Sequence, residues 1–328
     1  MQSSVKLSDI KLSETVQQML CCPICKARLV LYDEHYQCKN SVCNFFFPII
    51  NGIPILIDED NSVFSIDDFI NQHNSTFFSS QTKLVQTVKR FLPDILRNIK
   101  GRENYNKLTK LLLGRSSTPK VLVIGGSILG EGMEAIIAHP NIESVDSDVT
   151  FGPRTKLVCD AHSIPFEDNS FDGVIVQAVL EHVVDPWQCV EEIHRVLKED
   201  GLVYAETPFM QQVHGGCYDF TRFTHLGHRR LFRKFEEIDS GAVCGPAMAL
   251  AWSYRYFLLS FASSSFLRRL IGVFVRLTSF YLTYLDYLLI DKPGTLDAAS
   301  GYYFIGRKSN RVLPDKDLIK LYKGLDQT

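Results

Sequence analysis

Between Lys120 and Pro208 the chain alternates short apolar runs with helical ones, and few folds accommodate that alternation. VLVIGG, IESVDSDV, TKLVCD, FDGVIVQAV and GLVYAETP are the strand-like runs. Before the last of them, DPWQCVEEIHRVLKEDG reads as a helix. Asp185 caps it, Pro186 suits its first turn and Gly201 follows its end. Trp187, Val190, Ile193 and Leu197 mark its apolar face. Strands alternating with helices predict an α/β fold, a Rossmann-like doubly wound sheet. Two later strands, near FEEIDSGAV and GYYFIGRK, would close it around an apolar insert at about 246–298.

With 328 residues the chain is long enough for about two domains and a large core. Hydrophobic residues at 45% and charged ones at 22% exclude a disordered chain. Thirty-seven acidic against 35 basic residues leave −2, so there is no strong nucleic-acid signal. The opening MQSSVKLSDIKLSE has no apolar core of a signal peptide. Weak helical spacing runs through Val5, Leu7, Ile10 and Leu12, and residues 82–113 read as lead-in helices after a polar stretch from Asn61 to Ser80. The expected division is 1–60, 61–118, 119–310 and a tail at 311–328.

Five of the nine cysteines fall within the first 43 residues. Cys22-Pro-Ile-Cys25 and Cys38-Lys-Asn-Ser-Val-Cys43 form two knuckles separated by twelve residues, with Cys21 a spare. Four thiolates suit the tetrahedral preference of Zn²⁺, and a closed four-cysteine site holds a fold together without doing chemistry. An odd cysteine total with one dense cluster points to a reducing, cytoplasmic compartment. The stretch CPIC…CKNSVCNFFFPIINGIPILI resembles the small zinc-ribbon module that accompanies RNA and protein methyltransferases. That resemblance covers about 20–58 and implies a ribbon that recognises a substrate or partner.

VLVIGGSILGEG is a strand entering a glycine turn, where the backbone can approach a ligand closely. Asp146 and Asp148 end the second strand-like run, and an acid there can accept from both ribose hydroxyls of a nucleotide; Asp148 fits better. Asp160, followed by Ala161, ends the third run, where a carboxylate and a backbone N–H can meet an adenine ring. Each aspartate is also an ordinary turn or capping residue.

Together, VLVIGG…SDV…VCDAHSIPFEDNSFDGVIVQAVLEHVVDPWQCVEEIHRVLKEDGLVYAETPF resembles a class I S-adenosylmethionine (SAM) methyltransferase. It is similar to the broad family that includes the ubiquinone/menaquinone methyltransferases, over about 119–240 and the strand near 302–308. The resemblance implies that Gly125, Gly126, Ser127 and Gly130 face the methionine part of SAM, and that Asp148 holds its ribose. It further implies that Asp160 and Ala161 hold adenine and that Gln177 to His182 line the methyl-transfer face. Two positions depart from the family pattern. Val123 stands where an acid is usual, and Ser127 replaces a glycine.

Methyl transfer from a sulfonium needs alignment, and an oxygen or amine acceptor also needs a proton removed. The loop HGGCYDFTRFTHLGHRR follows the fifth strand and offers His214, Tyr218, Asp219, Arg222, His225 and His228. His214, Asp219 and Arg222 are the catalytic candidates, with His182 behind them and Glu181 read as orienting the loop. The His/Asp/Arg mixture suits a polar or anionic acceptor, and the expected acceptor is a polar small molecule or a lipid-linked one. The insert carries Arg255, Arg268, Arg269 and Arg276 among Tyr and Trp, and Arg276 and Asp286 interrupt its longest apolar run. It reads as a helical lid or homo-oligomer contact, with membrane-surface contact the alternative. The alternative functions are a non-catalytic adaptor, raised by Val123 and Ser127, and a ribbon-guided RNA methyltransferase. A dehydrogenase is disfavoured because G-x-G-x-x-G is absent.

Overall fold

The computed structural model describes residues 10–71 and 92–325. The helical spacing at Val5 and Leu7, the second half of the polar stretch and the lead-in segment 82–91 lie outside the described residues. Of the lead-in region, Gly101–Leu113 is helical and buries Tyr105, Leu108 and Leu112.

The strands are β1 (Leu29–Tyr32), β2 (His35–Cys38), β3 (Phe46–Ile50), β4 (Ile53–Leu56), β5 (Lys120–Ile124) and β6 (Glu143–Asp148). They continue as β7 (Leu157–Cys159), β8 (Phe171–Gln177), β9 (Leu197–Pro208), β10 (Phe235–Cys244) and β11 (Gly301–Lys308). All eleven lie in one sheet, ordered β1-β2-β3-β4-β7-β6-β5-β8-β9-β11-β10. β7, β6, β5, β8 and β9 are mutually parallel, and β11 runs antiparallel between β9 and β10. Phe171 to Val176 are buried at every position, as expected of a strand covered on both faces.

The cysteine-rich segment is built into this sheet. Asn51 and Gly52, with φ of 52° and 74°, make the two-residue turn between β3 and β4 that an Asn-Gly pair favours. β4 then pairs in parallel with β7 through Ile55–Val158 and Leu56–Cys159. All four residues of β4 are buried, as are Phe47 and Ile57. Further ties are the Cys21 N–H to Pro165 C=O bond at 3.1 Å and the Lys26–Glu192 ion pair at 2.9 Å.

The helix after Asp185 ends one turn sooner than its sequence suggests. It spans Pro186–Val196, with Asp185 capping the N–H groups of Trp187 and Gln188. Leu197 instead pairs with Phe171, and residues 198–201 loop out before Leu202 pairs with Gly173. The buried face is Cys189, Val190, Ile193 and Val196, whereas Trp187 is exposed and edges against Phe223.

The apolar insert forms helices Pro246–Leu259 and Ser265–Ser279 and shorter turns. Asp286, which the sequence shows only as a break in an apolar run, is wholly buried. Its carboxylate accepts from the Ala247 and Met248 N–H groups at 2.9 Å each and so caps the first of these helices. Among the described residues no helix is long and apolar enough to cross a membrane.

Candidate functional site

A cavity of about 250 Å³ opens at the carboxyl ends of β5, β6, β7 and β8. In an open parallel sheet this is where ligands bind, beside the point at which the strand order reverses. Gly125, Ser127, Asp148, Asp160, Ala161 and His182 all line it. β5 leads into Gly125, whose φ of +73° belongs to the left-handed region. The next N–H, that of Gly126, is held by Ser147 C=O at 2.9 Å. Asp148 accepts from the Ser127 N–H at 3.1 Å and from the Thr150 hydroxyl at 3.0 Å, so it ties the glycine turn to the end of β6.

Gly125 leads to a direct prediction. An added Cβ would lie 2.3 Å from Val179 Cγ2, in a backbone conformation that side chains disfavour. Gly125→Ala should cost roughly 1–3 kcal/mol of stability and displace the cavity wall. A thermal melt reads the loss; an unchanged midpoint would show that the turn is not this tight.

Of the two second-strand acids, only Asp148 faces the cavity. Asp146 is buried and paired with Arg154 at 2.9 Å. Val123 is a buried core residue with no polar role. Asp160 sits at the cavity but is already well satisfied. It accepts from His162 Nδ1 at 2.6 Å, the His162 N–H at 2.9 Å and the Ser62 hydroxyl at 2.5 Å. Burial works to raise its pKa, but these bonds and the His162 charge outweigh it, and Asp160 titrates below the usual carboxylate range.

Gly126, Gly130 and Gln177 stand off the cavity lining. Gln177 is held by Glu206 and Tyr105 at 2.9 Å each, and a Cβ on Gly130 would strike its Oε1. Glu206 is buried and also bonded to Asn98 and Tyr204; burial raises its pKa.

The segment after β4 supplies walls that the sequence did not announce. Val63 and Phe64 line the cavity, and Phe64 stacks on Tyr218 with ring centroids 5.6 Å apart. Nothing in Asn-Ser-Val-Phe distinguishes it from a linker, because its role comes from β4 docking beside β7.

At the far end of the cavity the structure brings His182 and His214 together, with ring centroids 5.0 Å apart and nearly perpendicular. Glu181 lies beneath both. It is fully buried, and burial pushes its carboxyl up to about 8. Burial holds His182 below the ordinary histidine range. Asp219 accepts from the His214 and Gly215 N–H groups at 2.8 and 3.1 Å and pairs with Arg222, so these two residues clamp the loop. Burial works to raise the Asp219 pKa, but these partners hold it far below the usual range. His225 and His228 are elsewhere. His228 packs among Phe223, Phe232 and Phe304, and burial lowers its pKa to about 3.

The four knuckle cysteines converge as their spacing implies. Their sulfurs all lie within 4.8 Å of one another, with Cys22–Cys43 at 3.8 Å and Cys25–Cys38 at 3.4 Å. Four ligands at ~2.3 Å in a tetrahedron would be about 3.8 Å apart. Lys26 and Asn44 follow the second cysteine of each knuckle, at φ of 58° and 44°, and reverse the chain there. Backbone N–H groups of Ile24 and Cys25 point at the Cys22 sulfur and that of Asn40 at Cys38. Burial pushes the Cys22 thiol well up and that of Cys38 to about 11, so holding these two as thiolates calls for a nearby cation. The donor set fits Zn²⁺. Cys21 is buried outside the cluster.

The strand order and the place of this cavity are those of a Rossmann-like class I methyltransferase fold, and residues 137–205 match the family described as "Methyltransferase domain". Among relatives, the demethylmenaquinone methyltransferase of Lysinibacillus sphaericus is 27% identical over 121 residues, 37% of this chain and 42% of that protein. The ubiquinone/menaquinone biosynthesis C-methyltransferase UbiE of Geotalea uraniireducens is 33% identical over 75 residues, 23% of this chain and 32% of its own. The chain thus spans less than half the length of these curated relatives. A solved putative sarcosine dimethylglycine methyltransferase from Galdieria sulphuraria is 12% identical, with a TM-score of 0.41 over 75% of this chain and 98% of that one.

Proposed function

We propose that this protein transfers a methyl group from SAM to a polar small-molecule or lipid-linked acceptor. The observation that carries the reading is the cavity at the strand ends, with the Asp148 carboxylate at its edge and the Gly125 turn at its floor. The acceptor's nucleophilic atom forms a bond to the methyl carbon as the carbon–sulfur bond breaks and its electron pair returns to sulfur. The chain's part is to align those atoms and to receive the acceptor's proton. His182 borders the cavity and packs against His214, so its imidazole is one base at the cavity wall. Relatives named for quinone methylation support a small-molecule acceptor.

The proposal includes a structural Zn²⁺ on Cys22, Cys25, Cys38 and Cys43, and the division of the chain at about 60, 118 and 310. A reducing, cytoplasmic location accords with nine cysteines of which none is in a disulfide. The apolar insert leaves Phe257, Phe261, Phe266 and Leu288 exposed, which supports contact with a lipid-linked acceptor, a membrane surface or a second copy.

Calorimetric titration with SAM and, separately, with NAD tests the reading. SAM binding without NAD binding is expected. Absence of SAM binding at millimolar ligand would leave the adaptor reading in its place. A radiolabelled methyl-transfer screen over lipid, small-molecule, protein and RNA fractions then identifies the acceptor.

A further inference from the structure

We propose that Glu181, His182 and His214 form a divalent-cation site beside the methyl-donor cavity, holding an acceptor through oxygen. One ligand atom from each of the three lies within 4.8 Å of the other two. The Glu181 side chain is fully buried, and no other residue hydrogen-bonds its carboxylate oxygens. A carboxylate taken out of water without a partner is costly, and a cation is the partner that answers both oxygens at once.

The two imidazoles are oriented toward the same atom. His182 Nδ1 lies 2.7 Å from the Tyr218 carbonyl and His214 Nδ1 lies 3.1 Å from the Gln212 carbonyl. A carbonyl only accepts, so these shorter contacts put the hydrogen on each Nδ1 and leave each Nε2 a lone pair, with Arg222 Nη2, a donor, farther from His214 Nδ1 at 3.5 Å. The two Nε2 atoms lie 3.7 and 3.8 Å from the same oxygen, Glu181 Oε1. Backbone carbonyls fixing the tautomer of a histidine in this way are characteristic of metal ligands. Bonds of ~2.0–2.2 Å would set the ligand atoms roughly 3–3.5 Å apart, so only small side-chain movements are needed. Arg222, the cation of this loop, is committed to both oxygens of Asp219.

Two imidazoles and one carboxylate suit Mn²⁺, Fe²⁺ or Zn²⁺ and leave coordination positions open. Because His182 also lines the donor cavity, those positions adjoin it. An acceptor hydroxyl or enol oxygen held there would release its proton to water more readily, both imidazoles then being ligands, and would stand near the methyl group. This use of the ion rests on the donor reading above; binding of the ion does not.

The test uses the full chain with its cysteines zinc-loaded, because Mn²⁺ competes poorly for thiolates. Loss of the free Mn²⁺ resonance signal, with metal content measured on the same sample, counts the ions. Expected is one site per chain beyond the cysteine cluster, filled by added Mn²⁺ or by a resident ion. Glu181→Gln and His214→Ala should each weaken it at least tenfold. His214 is partly exposed, so its variant should melt near the parent temperature even if Glu181→Gln misfolds. No second ion in the parent, or uptake unchanged in a folded His214→Ala, overturns the proposal. SAM titration of the same samples reports separately on the donor cavity.

Discussion

Replacing Asp148 by alanine should weaken SAM binding ten- to a hundredfold, roughly the 1.5–3 kcal/mol of a hydrogen bond to a charged group. Asp148 is the second-strand acid that faces the cavity, since Asp146 is spent on Arg154. Its carboxylate also receives the Ser127 N–H and the Thr150 hydroxyl, so alanine removes a ligand contact and loosens the turn beneath it. Asp148→Asn keeps an oxygen for one of those bonds and should fall between. Calorimetry with SAM and with its demethylated product reads the effect. Equal affinity in parent and alanine variant would show that Asp148 does not hold the ribose.

Cys38→Ser should leave less than half an equivalent of zinc per chain and unfold the β1–β4 edge. Structural zinc contributes ~10–16 kcal/mol of apparent folding energy in small modules. Here the metal's loss has a further consequence. β4 is the partner of β7, and the segment after β4 places Ser62 against Asp160 and Phe64 at the cavity. A loss of even ~5 kcal/mol at this edge would lower the melting midpoint by roughly 5–10 °C, and SAM affinity should fall with it. Cys217→Ser, at an exposed thiol outside the cluster, should keep its zinc. A zinc-free Cys38→Ser chain that melts and binds SAM like the parent would separate the ribbon from the cavity.

Much of the sheet was legible because its signals are local. Buried parallel strands write themselves as unbroken apolar runs, as in Val121–Ile124, and the Cys22–Cys43 spacing brings four sulfurs together. The end of the helix Pro186–Val196 was not legible. Leu197 continues the helical period, and only its pairing with Phe171 turns it into strand. Gly126, Gly130 and Gln177 follow the family pattern in sequence yet stand off the cavity, since Glu206 and Tyr105 draw Gln177 aside. Glu181 was visible only as a neighbour of His182, because burial is not written in residue type.

Residue order alone was enough to set the succession of strands and helices, the glycine turn after β5 and the cysteine knuckles. Each depends on residues a few positions apart, where periodicity, capping and spacing act directly. It took the folded chain to join β4 to β7, to bring Ser62 to Asp160 and Phe64 to the cavity, and to set His182 and His214 beside Glu181. Those groups lie far apart along the chain or owe their character to burial. The desolvation that leaves Glu181 without a partner from another residue exists only once the sheet and its loops have closed around it.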